Sequence, residues 1–251
     1  MRHLASGYRK RTHVARPSFA WRRRCPPAVH ERRRFFDLDN TLIRGSSLYQ
    51  LGLGLHARGL VSTMDIVRLG RRHLGHALGR GEQKRNIVAA TDGSGAVARG
   101  LHHSVLHAEV ELIVRERIMP RVRPAVLAAA REHQASGQQV WLVTASVQPL
   151  AETLARQLRL TGAMGSKVVV VDGFYTGEQD GPLLHGRQKA EAVLRLAAAE
   201  GFDLSASSAY SDSVNDLPML RVVGHPRPVC PDRRLRKYAS RHGWRVFSDE
   251  H

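Results

Sequence analysis

The run Arg34-Phe35-Phe36-Asp37-Leu38-Asp39-Asn40-Thr41-Leu42 decides how this chain reads. It is a short buried strand that turns polar abruptly at Asp37, before a new apolar stretch opens at Leu42. In open α/β sheets, function gathers beyond the carboxyl ends of the strands. Two carboxylates two residues apart would point to opposite sides of a continuing strand. The chain must turn here, so Asp37 and Asp39 can face one pocket.

Working outward, Gln139 to Val143 predicts a second buried strand ending at Thr144-Ala145-Ser146, and Ser207 to Ser211 a small-residue strand ending on Asp212. Helical patterns at 125–134, 149–158, 189–200 and 232–242 alternate with these strands, which points to a parallel sheet. A short helix opens at Asp216, with Pro218 near its start as helix entry tolerates. Lys167 to Asp172 and Phe174 to Thr176 predict a hairpin about Asp172-Gly173, and Val222 to Gly224 with Arg227 to Val229 a last strand region. From about Leu48 to Pro120, Leu, Val and Ile recur at three- and four-residue spacings, broken by the turn Asp92-Gly93-Ser94-Gly95. The expected fold is therefore α/β: a doubly wound, Rossmann-like parallel sheet core (32–47 and 121–251) with an inserted all-helical cap (48–120).

The formal charge of +17 over 251 residues is uneven. Arg2, Arg9, Lys10, Arg11, Arg16, Arg22, Arg23, Arg24, Arg32, Arg33 and Arg34 crowd the first 34 residues against Glu31 as the one acid. Residues 1–31 read as a basic, disordered tail outside any core, suited at most to weak nucleic-acid or anionic-lipid contact. Cys25 and Cys230 are too few for a disulfide framework, and a reducing cytoplasm fits them. No apolar run approaches the roughly 18 residues of a spanning helix.

Chemistry follows from convergence. In a parallel sheet the strand ends carrying Asp37-Leu38-Asp39, Thr144 and Asp212 lie along one edge, with Asp216 four residues beyond Asp212. Clustered carboxylates repel unless a proton or cation intervenes, and hard oxygen ligands suit Mg²⁺. Lys189, at a helix start, supplies one positive charge for a phosphoryl oxygen. The set has the makings of a phosphoryl-transfer site.

Phe36-Asp37-Leu38-Asp39-Asn40-Thr41-Leu42, Val143-Thr144-Ala145-Ser146, Lys189 and Ser211-Asp212-Ser213-Val214-Asn215-Asp216 together resemble the four ordered motifs of the haloacid dehalogenase superfamily. The resemblance spans roughly residues 33–245 and is nearest to subfamily IB, the phosphoserine phosphatase-like hydrolases. It implies that Asp37 attacks phosphorus to form an aspartyl phosphate and that Asp39 is the general acid and base. It further implies Mg²⁺ held by Asp37, the Asp39 carbonyl and Asp212, with Asp216 supporting them from behind. Thr144, Lys189 and Asn215 would bind the phosphate. The substrate would be a small phosphorylated metabolite. In phosphoserine phosphatases a glutamate nine residues after the nucleophile meets the substrate ammonium; here that position is Ser46.

Weaker signals are set aside. His103 with His107 and His73 with His76 have metal-pair spacings without the catalytic glutamate of a zincin. Gly52-Leu53-Gly54 and Gly79 to Lys84 miss the dinucleotide and Walker patterns, and Ser146 lacks triad partners. Two rival readings remain at this level: a phosphotransferase on the same fold, and a weakly active nucleic-acid or membrane-surface binder.

Overall fold

The computed structural model describes residues 32–67 and 95–248. Its centre is a parallel sheet of five strands, β1 (Arg33–Phe36), β2 (Gln139–Val147), β3 (Gly162–Ser166), β6 (Ser208–Ser211) and β7 (His225–Pro228), in the order β3-β2-β1-β6-β7. β4 (Val168–Val171) and β5 (Phe174–Gln179) form a separate antiparallel hairpin. The order reverses direction at β1, with β2 and β3 on one side and β6 and β7 on the other. This is the doubly wound pattern, and β1 and β6 flank its switch point.

Seven α-helices are described: α1 (Ser47–Ala57), α2 (His103–Ile113), α3 (Pro124–Ala135), α4 (Gln148–Gln157), α5 (Arg187–Glu200), α6 (Leu217–Arg221) and α7 (Arg233–Arg241). Phe36 of β1 joins Leu142 of β2 and Leu150 and Leu154 of α4 in one core. Its neighbour Phe35 joins Val193 of α5, Met219 of α6 and Leu235 of α7 on the opposite face. Alternation along a single central strand thus builds both layers. α1 and α2, both in the insertion between β1 and β2, are helical as expected. Residues 100–102 depart from the helical reading, and with His103 they pair with the hairpin: Gly100 N–H donates to Tyr175 O (2.8 Å), and His103 N–H to Gly173 O (2.8 Å).

Arg33 and Arg34 open the central strand, inside the core boundary expected at residue 32, and both are buried. Arg33 pairs with Glu200 (3.0 Å) and lies over the Phe202 ring, while Arg34 donates to Gln138 (2.6 Å) and Ser208 (2.9 Å). β2 runs through Thr144 to Val147, with an irregular register between Val143 and Val147. The last strand is His225–Pro228, shifted from the two stretches read in the sequence. It sits at a sheet edge, where its two prolines leave no ladder donor missing. β3 was not foreseen at all. Its two glycines give little strand propensity, yet a Cβ at Gly162 would come within 2.7 Å of the Trp141 ring, and one at Gly165 within 2.9 Å of Ser146 O. Close packing selects these residues, and local preference does not. The basic stretch 1–31, the pair His73 and His76, Gly79 to Lys84 and most of the turn at 92–95 lie outside the described residues.

Candidate active site

The site grows from the turn after β1. Asp37 N–H still donates to Tyr210 O of β6 (2.9 Å), so the residue is anchored to the sheet as the strand ends. The chain then folds back on itself: Leu38 O accepts from the N–H groups of Leu42 and Ile43, both at 3.0 Å. Asn40 adopts a left-handed conformation (φ 57°) that asparagine tolerates better than most residues, and its side chain accepts from Gly45 N–H (3.1 Å). This turn returns Thr41, fully buried, to the end of β1.

Thr41 Oγ1 lies 3.0 Å from Asp37 Oδ2 and 3.2 Å from Asp212 Oδ1, one hydroxyl proton facing two carboxylates, and it accepts from Asp212 N–H (2.9 Å). Asp37 and Asp212 are thereby held side by side. On the other flank Lys189, in the first turn of α5 and 3% exposed, donates to Asp37 Oδ1 and to Asp216 Oδ2 (2.7 Å). Ser211 Oγ adds a second contact to Asp216 (2.8 Å). Asp216 occupies the N-cap position of α6, but its side chain makes no capping bond there; its carboxylate is spent on Lys189 and Ser211.

Three buried or nearly buried acids therefore surround one ammonium. Burial comes first in raising Asp37 to about 7, with Asp216 and Asp39 adding to it against the pull of Lys189. Asp212 is pushed up to about 8 by burial and then by Asp37 and Asp216. For Lys189 burial favours the neutral amine, but Asp216 and Asp37 outweigh it and hold the ammonium above the usual lysine range. The cluster lacks positive charge, and its donors are hard carboxylate oxygens. That is the environment a divalent oxygen-seeking cation neutralises. Among the described residues no three His, Cys, Asp or Glu side chains converge as a complete metal cage. Asp37 and Asp212 would need a main-chain ligand beside them, which is the part assigned above to the Asp39 carbonyl.

The other expected residues are less tightly joined. Asp39 leaves the buried cluster for the start of α1, where its Oδ1 accepts from Ser47 N–H (2.8 Å) near the positive helix end. Thr144 is buried at the β2 irregularity and accepts from Ser146 N–H (3.1 Å). Asn215 is half-buried in the turn before α6, its N–H held by Ser213 Oγ (3.2 Å), and no hydrogen bond carries its side chain into the carboxylate cluster. Three hydroxyl residues were missed as site residues: Thr41, Ser211, and Ser47, whose Oγ meets Ser146 Oγ at 2.7 Å. Thr41 and Ser211 both stand inside the quoted motifs; Ser47 carries no local signal.

Residues 35–221 match the family model of the haloacid dehalogenase-like hydrolases. The chain belongs to that family. Phosphoserine phosphatase SerB1 of Mycobacterium tuberculosis is 40% identical over 223 residues, 89% of this chain and 72% of that one. Among solved structures, a Bordetella pertussis Tohama I protein of unknown function superposes with a TM-score of 0.76 at 28% identity, over 88% of this chain and all of its own. A substrate-bound phosphoserine phosphatase shares the fold at a TM-score of 0.61 and 17% identity, over 86% and 92% of the two chains. Phosphatases of this family generally use a divalent metal. By class the chain is a phosphomonoesterase.

Proposed function

We propose that the chain hydrolyses a small phosphorylated metabolite through a phosphoaspartate on Asp37, with Mg²⁺ as its cofactor. The observation that carries this reading is the placement of Asp37: buried at the end of the central strand, held between Lys189 and Thr41, with Asp212 sharing the same hydroxyl. A nucleophilic carboxylate must be aimed and ionised: the Lys189 ammonium and the Thr41 hydroxyl aim it, and a bound cation would favour the ionised form against the burial that raises it.

Asp37 attacks phosphorus and the substrate's ester oxygen departs, taking a proton from Asp39. A water then attacks the phosphoaspartate, gives its proton to Asp39 and releases orthophosphate, so the acid of the first step is the base of the second. Ser47 N–H steadies Asp39 in this role. Lys189 offsets phosphoryl charge, Asp216 and Ser211 keep its ammonium in place, and Thr144 and Asn215 would add donors to the phosphoryl oxygens. When bound, Mg²⁺ would supply the missing positive charge and polarise the phosphoryl oxygens, held by Asp37, Asp212 and the Asp39 carbonyl. The segment 48–120 would act as a cap over the core formed by 32–47 and 121–251.

Two measurements test the reading. Asp37→Asn should lower turnover of p-nitrophenyl phosphate by more than about 10³-fold, since an amide cannot accept the phosphoryl group. Acid-quenched wild-type enzyme in steady turnover should carry a phosphoryl adduct on the peptide containing Asp37. Full turnover without an adduct would replace the covalent route with direct attack by water.

A further inference from the structure

Ser146 has no triad partners, yet its hydroxyl is buried and engaged. From Val143 to Val147 β2 advances four residues while β3 advances two, Met164 to Ser166, so residues 144–146 bulge out of the ladder. Bulges re-aim side chains and recur beside active sites. Here the Ser146 hydroxyl meets the first residue of α1: Ser146 Oγ and Ser47 Oγ lie 2.7 Å apart, and both side chains are buried. That is the ordinary length of an O–H···O bond.

Each serine has a second bond into the site. Ser47 N–H donates to Asp39 Oδ1 (2.8 Å), and Ser146 N–H donates to Thr144 Oγ1 (3.1 Å). A continuous chain of hydrogen bonds therefore runs from Asp39 through Ser47 and Ser146 to Thr144. A threonine hydroxyl that accepts from Ser146 keeps its own proton for another acceptor, in the proposed site a phosphoryl oxygen. Asp39 serves the ester oxygen on the same phosphorus. The two groups must hold a fixed separation, yet the segments that carry them are joined at a bridge between residues 99 positions apart. A pair of small apolar side chains would fill the same space with little change in stability. What the two hydroxyls add is a set length and direction.

We propose that the Ser47 and Ser146 hydroxyls form a positioning bridge that sets Asp39 against Thr144, so that the proton donor meets the ester oxygen while the phosphoryl group is held. The inference rests on the phosphatase reading above. The two serines are positioning residues: they act through Asp39 and Thr144 and not on the substrate. Misplacing a reacting group by about 1 Å can cost roughly 10²-fold in rate, and breaking the bridge frees the start of α1 to shift by a fraction of that.

The test compares ethyl phosphate with p-nitrophenyl phosphate. Ser146→Ala should lower kcat on ethyl phosphate about tenfold and change KM by less than about twofold, because the loosened acid acts in the transition state. The loss on p-nitrophenyl phosphate, whose leaving group needs little protonation, should be several-fold smaller. Ser47→Ala should show the same split. The double variant should be no slower than either single one, since one bridge can be lost only once. If Ser146→Ala does not fold, Ser47→Ala carries the same expectation for the two esters. Equal losses on both esters overturn the proposal alone and leave the hydroxyl pair a packing contact. So do losses that multiply in the double variant. A wild type that hydrolyses neither ester would remove the phosphatase reading and this one with it.

Discussion

At the scale of single residues, the proposed chemistry depends on two carboxylates of the same type in different surroundings. Asp37 is enclosed by Lys189 and Thr41, whereas Asp39 sits half-buried against the N-terminal N–H of α1. Only the second is placed to exchange protons with a leaving group. Asp39→Asn should therefore slow hydrolysis of an alkyl phosphate by about 10²- to 10⁴-fold. The loss on p-nitrophenyl phosphate, whose leaving group needs little protonation, should be much smaller; equal losses on both would take the acid role away from Asp39. Ser46 bears on the substrate. Its side chain accepts from Tyr49 N–H (3.3 Å) as the N-cap of α1, and it brings no charge to the position where phosphoserine phosphatases carry glutamate. An ammonium closed into such a site would be left without a counter-ion there. Phosphoserine should be a mediocre substrate, and Ser46→Glu should raise its kcat/KM relative to an uncharged ester. A strong wild-type preference for phosphoserine that the mutation leaves unimproved would contradict this reading of Ser46.

At the scale of elements, the loop after β6 owes its shape to a neighbour far along the chain. Asp232 caps α7 by accepting from Arg234 and Leu235 N–H (both 2.8 Å), and with its other oxygen it accepts from Val214 N–H (2.7 Å). Its own N–H donates to Asp212 O (2.8 Å). One carboxylate thus joins the start of α7 to the loop that carries Asp212, Asn215 and Asp216. Asp232→Ala should cost about 1–2 kcal/mol of stability through the lost cap. It should also weaken Mg²⁺ affinity, because Val214 N–H loses its partner and the loop its brace. Asp232→Asn, which keeps an oxygen acceptor, should restore most of both; denaturant titration and Mg²⁺ titration of activity give the two readouts. An alanine variant of reduced stability with unaltered Mg²⁺ dependence would confine Asp232 to its helix.

At the scale of the whole molecule, both layers and the insertion between β1 and β2 meet at the switch point of the sheet, and the charge imbalance is concentrated there. Asp37, Asp212 and Asp216 face one lysine, so a divalent cation that binds only the folded chain should stabilise it. At a concentration one hundred times its dissociation constant, Mg²⁺ should add about 2.7 kcal/mol, read as a rise in melting temperature that EDTA reverses. Asp212→Asn should lose most of that rise. Ca²⁺, with its larger and looser shell, should support little turnover even where it raises the melting temperature. Equal melting temperatures in Mg²⁺ and in EDTA would argue against a resident cation.

The alternation of Phe35 and Phe36, the polar break at Asp37 and the small-residue strand ending at Asp212 are local patterns. Their period and order were enough to specify a parallel α/β sheet with carboxylates along one edge. Helix starts were legible for the same reason, since Pro124, Pro149 and Asp232 act within a turn of themselves. β3 was not legible, because its glycines answer to the Trp141 ring and the backbone of Ser146, neither of which is local. The partners of Arg33 and Arg34 were not legible, because Glu200, Gln138 and Ser208 lie far along the chain. Ser47 gave no signal, since a serine on a helix is ordinary until packing brings it to Asp39. Periodicity is carried by neighbours along the chain. The surroundings of a buried polar group are made by segments that meet only when the chain folds.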